Sequence, residues 1–213
     1  MEQLKQIMLF RHMDDGEIAM ALAAMDAEER TYQKGEIILS AGEITEKMGL
    51  VLSGSVTIET GDYWGNRSIL SHVGPGQLFA EVFALLEDEP ILVDVQVSRE
   101  CRVLFLRPQK LNGRTEPWAV KLLRNLLNIS FYKNLALSSR SYHTAPKTAR
   151  GRIMAYLNAV SLRSHSREFD IPFDRQQLAD YLNLDRTALS KELGKMRDDG
   201  LLVFRKNHFE LKD

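Results

Sequence analysis

Apolar residues along the chain change their period three times, and each change predicts a change of element. Leu4, Ile7 and Met8, then Ile18, Leu22 and Met25, recur at the spacing of a helix face, so residues 2–30 read as short helices broken at Asp14-Asp15-Gly16. From Tyr32 the texture becomes short apolar runs between glycines: residues 35–39, 49–52, 54–58 and 69–73. Turn signals stand at Gly61, at Trp64-Gly65-Asn66 and at Gly74-Pro75-Gly76. Residues 91–97 alternate cleanly, with Ile91, Val93, Val95 and Val97 on one face, and a last strand at 102–106 stops at Pro108. Residues 31–107 therefore read as one β-barrel or roll.

After Pro117 the helical period returns, and no Gly or Pro interrupts residues 118–143. Trp118, Leu122, Leu126 and Ile129 form a stripe that Leu123 and Leu127 broaden. A stripe this wide on a helix this long predicts a dimerisation helix of coiled-coil character, with a long core helix as the competing reading. Residues 143–147, containing Pro146, read as a hinge. Ile153, Tyr156, Leu157 and Val160 give another amphipathic helix, and residues 161–170 a polar loop.

The segment from Phe173 to the end carries the most specific pattern. Asp174 followed by Gln177 is a capping box with Asp as the cap, opening a helix whose buried side is Leu178, Ala179 and Leu182. Ala179 lets a second helix cross closely. Asn183 suits a left-handed turn, Asp185 can cap the next helix, and Leu189, Leu193 and Met196 face inward until Gly200 ends it. Two apolar-polar runs around Lys206-Asn207 add a hairpin, so the prediction is a helix-turn-helix with a wing.

The outward residues of the second helix, Arg186, Thr187, Ser190 and Lys191, share one face. Arg can bond guanine bidentately, Thr and Ser can read a base or a phosphate, and Lys can do either. Arg175 and Gln176, in the first turn of the preceding helix, stand where backbone phosphates would lie. Charge agrees: the chain carries a net −1, but residues 146–213 hold 13 Lys and Arg against 10 Asp and Glu.

Cys101 is the single cysteine, which excludes an internal disulfide and a Cys-ligated cluster, and its strand context suggests a small buried apolar residue. The start, MEQLKQIMLFRHMDD, places acids and a histidine where a signal peptide needs an apolar run, and no stretch approaches a membrane span, so a cytoplasmic location without membrane contact is expected. The five histidines are widely separated and no P-loop, Gly-x-Gly-x-x-Gly or triad order is present, so no enzyme activity, catalytic residue, metal or cofactor is expected.

ERTYQKGEIILSAGE (29–43), LVLSGSVTIE (50–59), ILSHVGPGQLFAE (69–81), RGRIMAYL (150–157) and LDRTALSKEL (184–193), in this order, resemble the CRP/FNR family of bacterial transcription regulators over nearly the whole chain. The resemblance implies an α+β protein in three parts. These are a cyclic-nucleotide-binding-like β-roll sensor with N-terminal helices (1–116), a long dimerisation helix and hinge (117–145), and a winged helix-turn-helix (146–213). It implies a homodimer on a two-fold symmetric double-stranded DNA operator, with RNA polymerase a further candidate partner. A sensor or scaffold of this fold without specific DNA binding is the alternative. The family pocket would be lined by Ala80, Glu81, Phe83 and Leu92, with Leu137 and Ser138 of the long helix.

The sequence departs from the family at the effector. Members that respond to cyclic AMP carry a Gly-Glu pair and an Arg-Ser pair that holds the phosphate. Here the pairs are Ala80-Glu81 and Ile91-Leu92, and Glu87, Asp88 and Glu89 add acid beside them. A buried phosphodiester needs a cation or several donors. Cyclic AMP is therefore not expected, the cysteine count excludes an oxygen-sensing cluster, and the lone His72 of the roll is read as structural rather than a haem ligand. The effector is left unidentified, or absent, with regulation through protein level.

Overall fold

The computed structural model describes residues 2–61, 67–86 and 88–212. The turn expected at Trp64-Gly65-Asn66 and the acid at Glu87 lie outside them. The chain divides into two compact units, Met1–Ile129 and Ser130–Asp213. The architecture is α+β: an N-terminal unit built on antiparallel sheet, a long helix, and a C-terminal helix-turn-helix with a small sheet. Among the described residues no helix is long and apolar enough to cross a membrane.

The first unit opens with α1 (Glu2–Lys5), a 3₁₀ turn and α2 (Asp15–Ala24). What reads in the sequence as a break is the start of α2: Asp14 accepts from the Glu17 backbone N–H and Glu17 returns a bond to the Asp14 N–H, a full capping box. Then follow β1 (Glu28–Tyr32), β2 (Ile37–Leu39), β3 (Met48–Gly61), β4 (Arg67–Val73), β5 (Leu78–Phe79), α3 (Glu81–Leu86) and β6 (Asp94–Leu106). Strand order is β1-β6-β3-β4, with β2 also on β6 and β5 also on β3, all antiparallel. β1, EERTY, was expected to be helical over its first three residues, Glu28–Arg30. It is an edge strand whose three middle residues are exposed, so it carries no apolar alternation to betray it.

Two pairs of expected short strands, one split at Gly54 and one between residues 97 and 102, are two long ones. β3 runs through Gly54 and β6 begins at Asp94, three residues later than the alternation suggested, and continues without interruption to Leu106. Gly54 sits at φ +77°, where the β3–β6 register slips, and a β-carbon there would collide with the Glu100 carbonyl and with Cys101. The glycine thus marks a bulge inside a strand, not its end.

The pleat of β3 and β6 feeds two cores. Met48, Leu50, Leu52, Leu104 and Leu106 point toward the N-terminal helices. Val51, Val56, Val95, Val97, Val103 and Phe105 fill the roll interior with Phe79 and Cys101. Burial pushes the Cys101 thiol up, which keeps it protonated and inert.

Helix α4 (Pro117–Thr144) crosses the boundary between the units. Trp118, Leu122, Leu126 and Ile129, expected to form a dimer seam, are instead 0–8% exposed within the single chain and pack on Leu9, Phe10, Ile18 and Leu50. Their assignment is corrected: this stripe is core, and it has no surface left for a second chain. Asn125 on the same side donates to the Leu9 and Arg11 carbonyls, and Lys121 pairs with Glu17 at 2.7 Å. The helix carries a second apolar stripe on the opposite face. Val120, Leu127, Phe131, Leu135 and Tyr142 are 54–69% exposed, and at 100° per residue they fall within roughly a quarter turn of one another.

Candidate nucleic-acid interface

The second unit continues with α5 (Ala149–Ser164), β7 (Glu168–Asp170), α6 (Arg175–Tyr181), α7 (Arg186–Asp198), β8 (Leu202–Arg205) and β9 (His208–Leu211). Its core joins Ile153, Leu157, Leu178, Leu182, Leu189, Leu193, Met196 and Phe209, all fully buried. The β7 strand replaces the tail of the expected 161–170 loop. Only Phe169 of its three residues is buried, too little for a periodic signal, and it pairs with β9 to make a three-stranded sheet.

The local signals between α6 and α7 act as their chemistry predicts. Asp174 accepts from the Gln177 N–H at 2.8 Å while Gln177 accepts from the Asp174 N–H at 2.9 Å. Asn183 is left-handed at φ +52°, and the Leu184 N–H closes onto the Ala179 carbonyl at 2.9 Å. Ala179 is fully buried where α6 meets α7. The Asp185 carboxylate accepts from the Thr187 and Ala188 N–H groups, and these two bonds hold it below the usual carboxylate range.

With the apolar side of α7 turned inward, Arg186, Thr187, Ser190 and Lys191 all stand exposed on its outer face. Arg150 braces the inner flank of α7 through Glu192 and Asp199, each at 2.7 Å. Gly194 lies midway along the exposed side with open space around it.

Gln176 is exposed, but Arg175 is not free to meet a phosphate. Its guanidinium lies over Phe204 and Phe209, 5.0 and 5.2 Å from the ring centroids, and donates to the Lys206 carbonyl at 2.6 Å. Burial lowers its pKa. The expected backbone contact is corrected accordingly: Arg175 fastens the β8–β9 hairpin to the start of α6, a role hidden in sequence because its partners lie some thirty residues away. The hairpin tip, Lys206 at φ +55° and Asn207, is held a second time by Asn207 Nδ2 donating to the Ile171 carbonyl. Between tip, α6 and α7 opens a cleft of about 710 Å³ lined by Asp174, Gln176, Gln177, Arg186, Lys206 and Asn207. Arg175, Arg186 and Lys206 line it against the single acid Asp174, a balance that favours an anion. Sequence reading missed Lys206 and Asn207 as site residues and took them only for a turn.

In the first unit Ala80 stands at φ +60°, the left-handed backbone for which glycine is the easy residue, directly before α3. Glu81 is buried at 3% exposure and Phe83 is half-buried, whereas Leu92 is 73% exposed. Leu137 and Ser138 belong to the second unit, both on exposed positions of α4.

Residues 29–114 match the cyclic nucleotide-binding domain and residues 151–213 the Crp-like helix-turn-helix domain. The CRP-like protein Clp of Xanthomonas campestris is 24% identical over 204 residues, covering 91% of this chain and 86% of Clp. Two solved structures share the fold. The c-di-GMP responsive global regulator CLP of X. campestris superposes with a TM-score of 0.58 at 22% identity, covering 94% of this chain and all of that one. The catabolite activator protein of Thermus thermophilus gives a TM-score of 0.50 at 23% identity, over 96% and 93% of the two chains.

Proposed function

Because this chain belongs to the CRP/FNR family of transcription regulators, we propose that it acts as a homodimer on a two-fold symmetric DNA operator, reading bases with Arg186, Thr187, Ser190 and Lys191. One observation carries the reading: four side chains able to bond base edges or phosphates stand exposed together on a capped helix beside a braced wing. In that motif the helix enters the major groove by its N-terminal end, where Arg186 and Thr187 lie. Gln176, Lys206 and Asn207 would meet the flanking backbone. The functional division is 1–116 for sensing, 117–145 for pairing and 146–213 for DNA.

The exposed stripe Val120, Leu127, Phe131, Leu135 and Tyr142 is the surface we assign to the partner helix. It is mostly apolar over about six turns, with exposed Arg124 and Ser138 on the same arc, and remains bare after the other face of α4 has been used for the core.

The effector is not a cyclic nucleotide in this reading. From Gln77 to Ser98 the sequence contains no Lys or Arg and five Asp or Glu. Val82, Leu85, Leu86 and Leu92 are exposed there. A phosphodiester would be repelled, whereas an apolar, neutral or cationic molecule would not. Cyclic di-GMP, to which the Xanthomonas regulator responds, is a dianion and meets the same objection.

The test uses the duplex that the wild-type protein enriches from a randomised pool. Arg186→Ala should lose about 1–3 kcal/mol of preference for that duplex over random DNA, with the dimer unchanged in sedimentation. Undiminished discrimination by the variant would refute the assignment of the reading helix.

A further inference from the structure

The turn between α6 and α7 holds a cluster that DNA reading does not use. A helix end leaves its last carbonyls short of partners, and α6 ends at the left-handed Asn183. Four consecutive carbonyls, from Asp180 to Asn183, are taken by two arginines. Arg152 of α5 gives Nη1–H to the Leu182 and Asn183 carbonyls, at 3.2 and 2.8 Å, and Nε–H to the Pro146 carbonyl of the hinge. Arg140, one turn before the end of α4, gives Nε–H to the Tyr181 carbonyl at 3.1 Å and Nη2–H to the Asp180 carbonyl at 3.0 Å and Asn183 Oδ1 at 3.1 Å. His143, three residues on and only 6% exposed, adds a 2.9 Å bond to the Tyr181 hydroxyl.

The two arginines differ in what they tie. Arg152 closes the turn within the winged helix itself. Arg140 reaches from the long helix, so its fork joins α4 to a turn that lies three residues before Arg186. A planar guanidinium with three directed bonds fixes orientation as well as distance.

We propose that Arg140 is a positioning residue: it locks the recognition helix to the end of α4 and thereby sets the spacing and pitch at which a dimer presents its two recognition helices. This rests on the reading of the chain as a dimeric DNA binder. The lock determines how two half-sites are spanned and leaves the contacts of one half-site alone.

The experiment measures fluorescence anisotropy with the enriched duplex, with a single half-site, and with duplexes whose half-sites are moved by one or two base pairs. For Arg140→Ala the dimer persists and half-site affinity stays within twofold of wild type. Affinity for the whole duplex falls at least tenfold, and the penalty for altered spacing flattens. Arg152→Ala lowers half-site and whole-duplex affinity together. A whole-duplex affinity and spacing profile unchanged in Arg140→Ala overturn the proposal, as does a parallel loss on half-site and whole duplex, which would mark Arg140 as a fold residue only. Should the alanine variant not fold, Arg140→Lys, which keeps the cation and loses the fork, is read by the same criteria. A wild-type protein that enriches no duplex removes the DNA-binding reading itself, a separate result.

Discussion

Asp185 settles the start of α7 almost alone, by accepting two N–H groups that would otherwise lack partners. Signals of this kind are legible in sequence because donor and acceptor are two or three residues apart. Asp174, Asn183 and Asp185 were all readable for that reason. Arg175 was not, since the same residue type serves equally on a phosphate or over a pair of phenyl rings, and only the folded hairpin chooses. Gly194 raises the opposite question: a glycine within a helix weakens it, and here a methyl group would meet nothing. Gly194→Ala should therefore raise the stability of the second unit by about 1 kcal/mol, read as a higher denaturation midpoint. A lower midpoint would mean that the methyl group meets an obstacle at this position.

At the scale of elements, periodicity tells that α4 is a helix but not which way its sides face. Trp118, Leu122, Leu126 and Ile129 gave the more regular stripe and suggested a partner chain, yet the core claims them. The second stripe was harder to see because Arg124 and Ser138 interrupt it and aromatic residues replace Leu. The two faces make opposite predictions. Leu122→Ala empties a fully buried site and should cost about 2–5 kcal/mol of folding stability. Phe131→Asp changes a side that is 66% exposed in one chain; it should leave the circular dichroism spectrum intact and convert dimer to monomer in sedimentation. A Phe131→Asp dimer of undiminished affinity would remove this seam. The strands teach a related lesson: glycines punctuate the sequence of β3, and only the register across Gly54 reveals continuity through it.

For the whole molecule, two histidines of the second unit should give its stability a pH optimum. Burial, then the charge of Arg163, lowers the pKa of His143 below the usual 6.5, so the fold prefers the neutral ring. Its contribution is complete above 6.5 and is lost as pH falls below that value. His208 is the reverse. Asp170 foremost, then Glu168, each 3.1 Å from a ring nitrogen, raise its pKa, so its contribution is full below 6.5 and fades as pH climbs through the raised value. Titration of the imidazole resonances by NMR should place His143 below 6.5 and His208 above it; the reverse order would contradict both environments. The pairing of a β-sheet domain with a winged helix was the most legible feature at this scale, because the two differ in period, glycine use and charge. The lining of a pocket in the roll was the least legible, since a pocket is defined by residues that no pattern unites.

A helix with one oily side buried and another left bare has a consequence for how much of the protein a cell must make. If the bare side is where copies mate, sparse molecules stay single, and each reaches only half of a symmetric target. In that dilute regime the number of assembled pairs grows with the square of the amount synthesised, so doubling the gene's output would quadruple them. Abundance could then serve as a signal in its own right, even for a chain whose roll holds nothing.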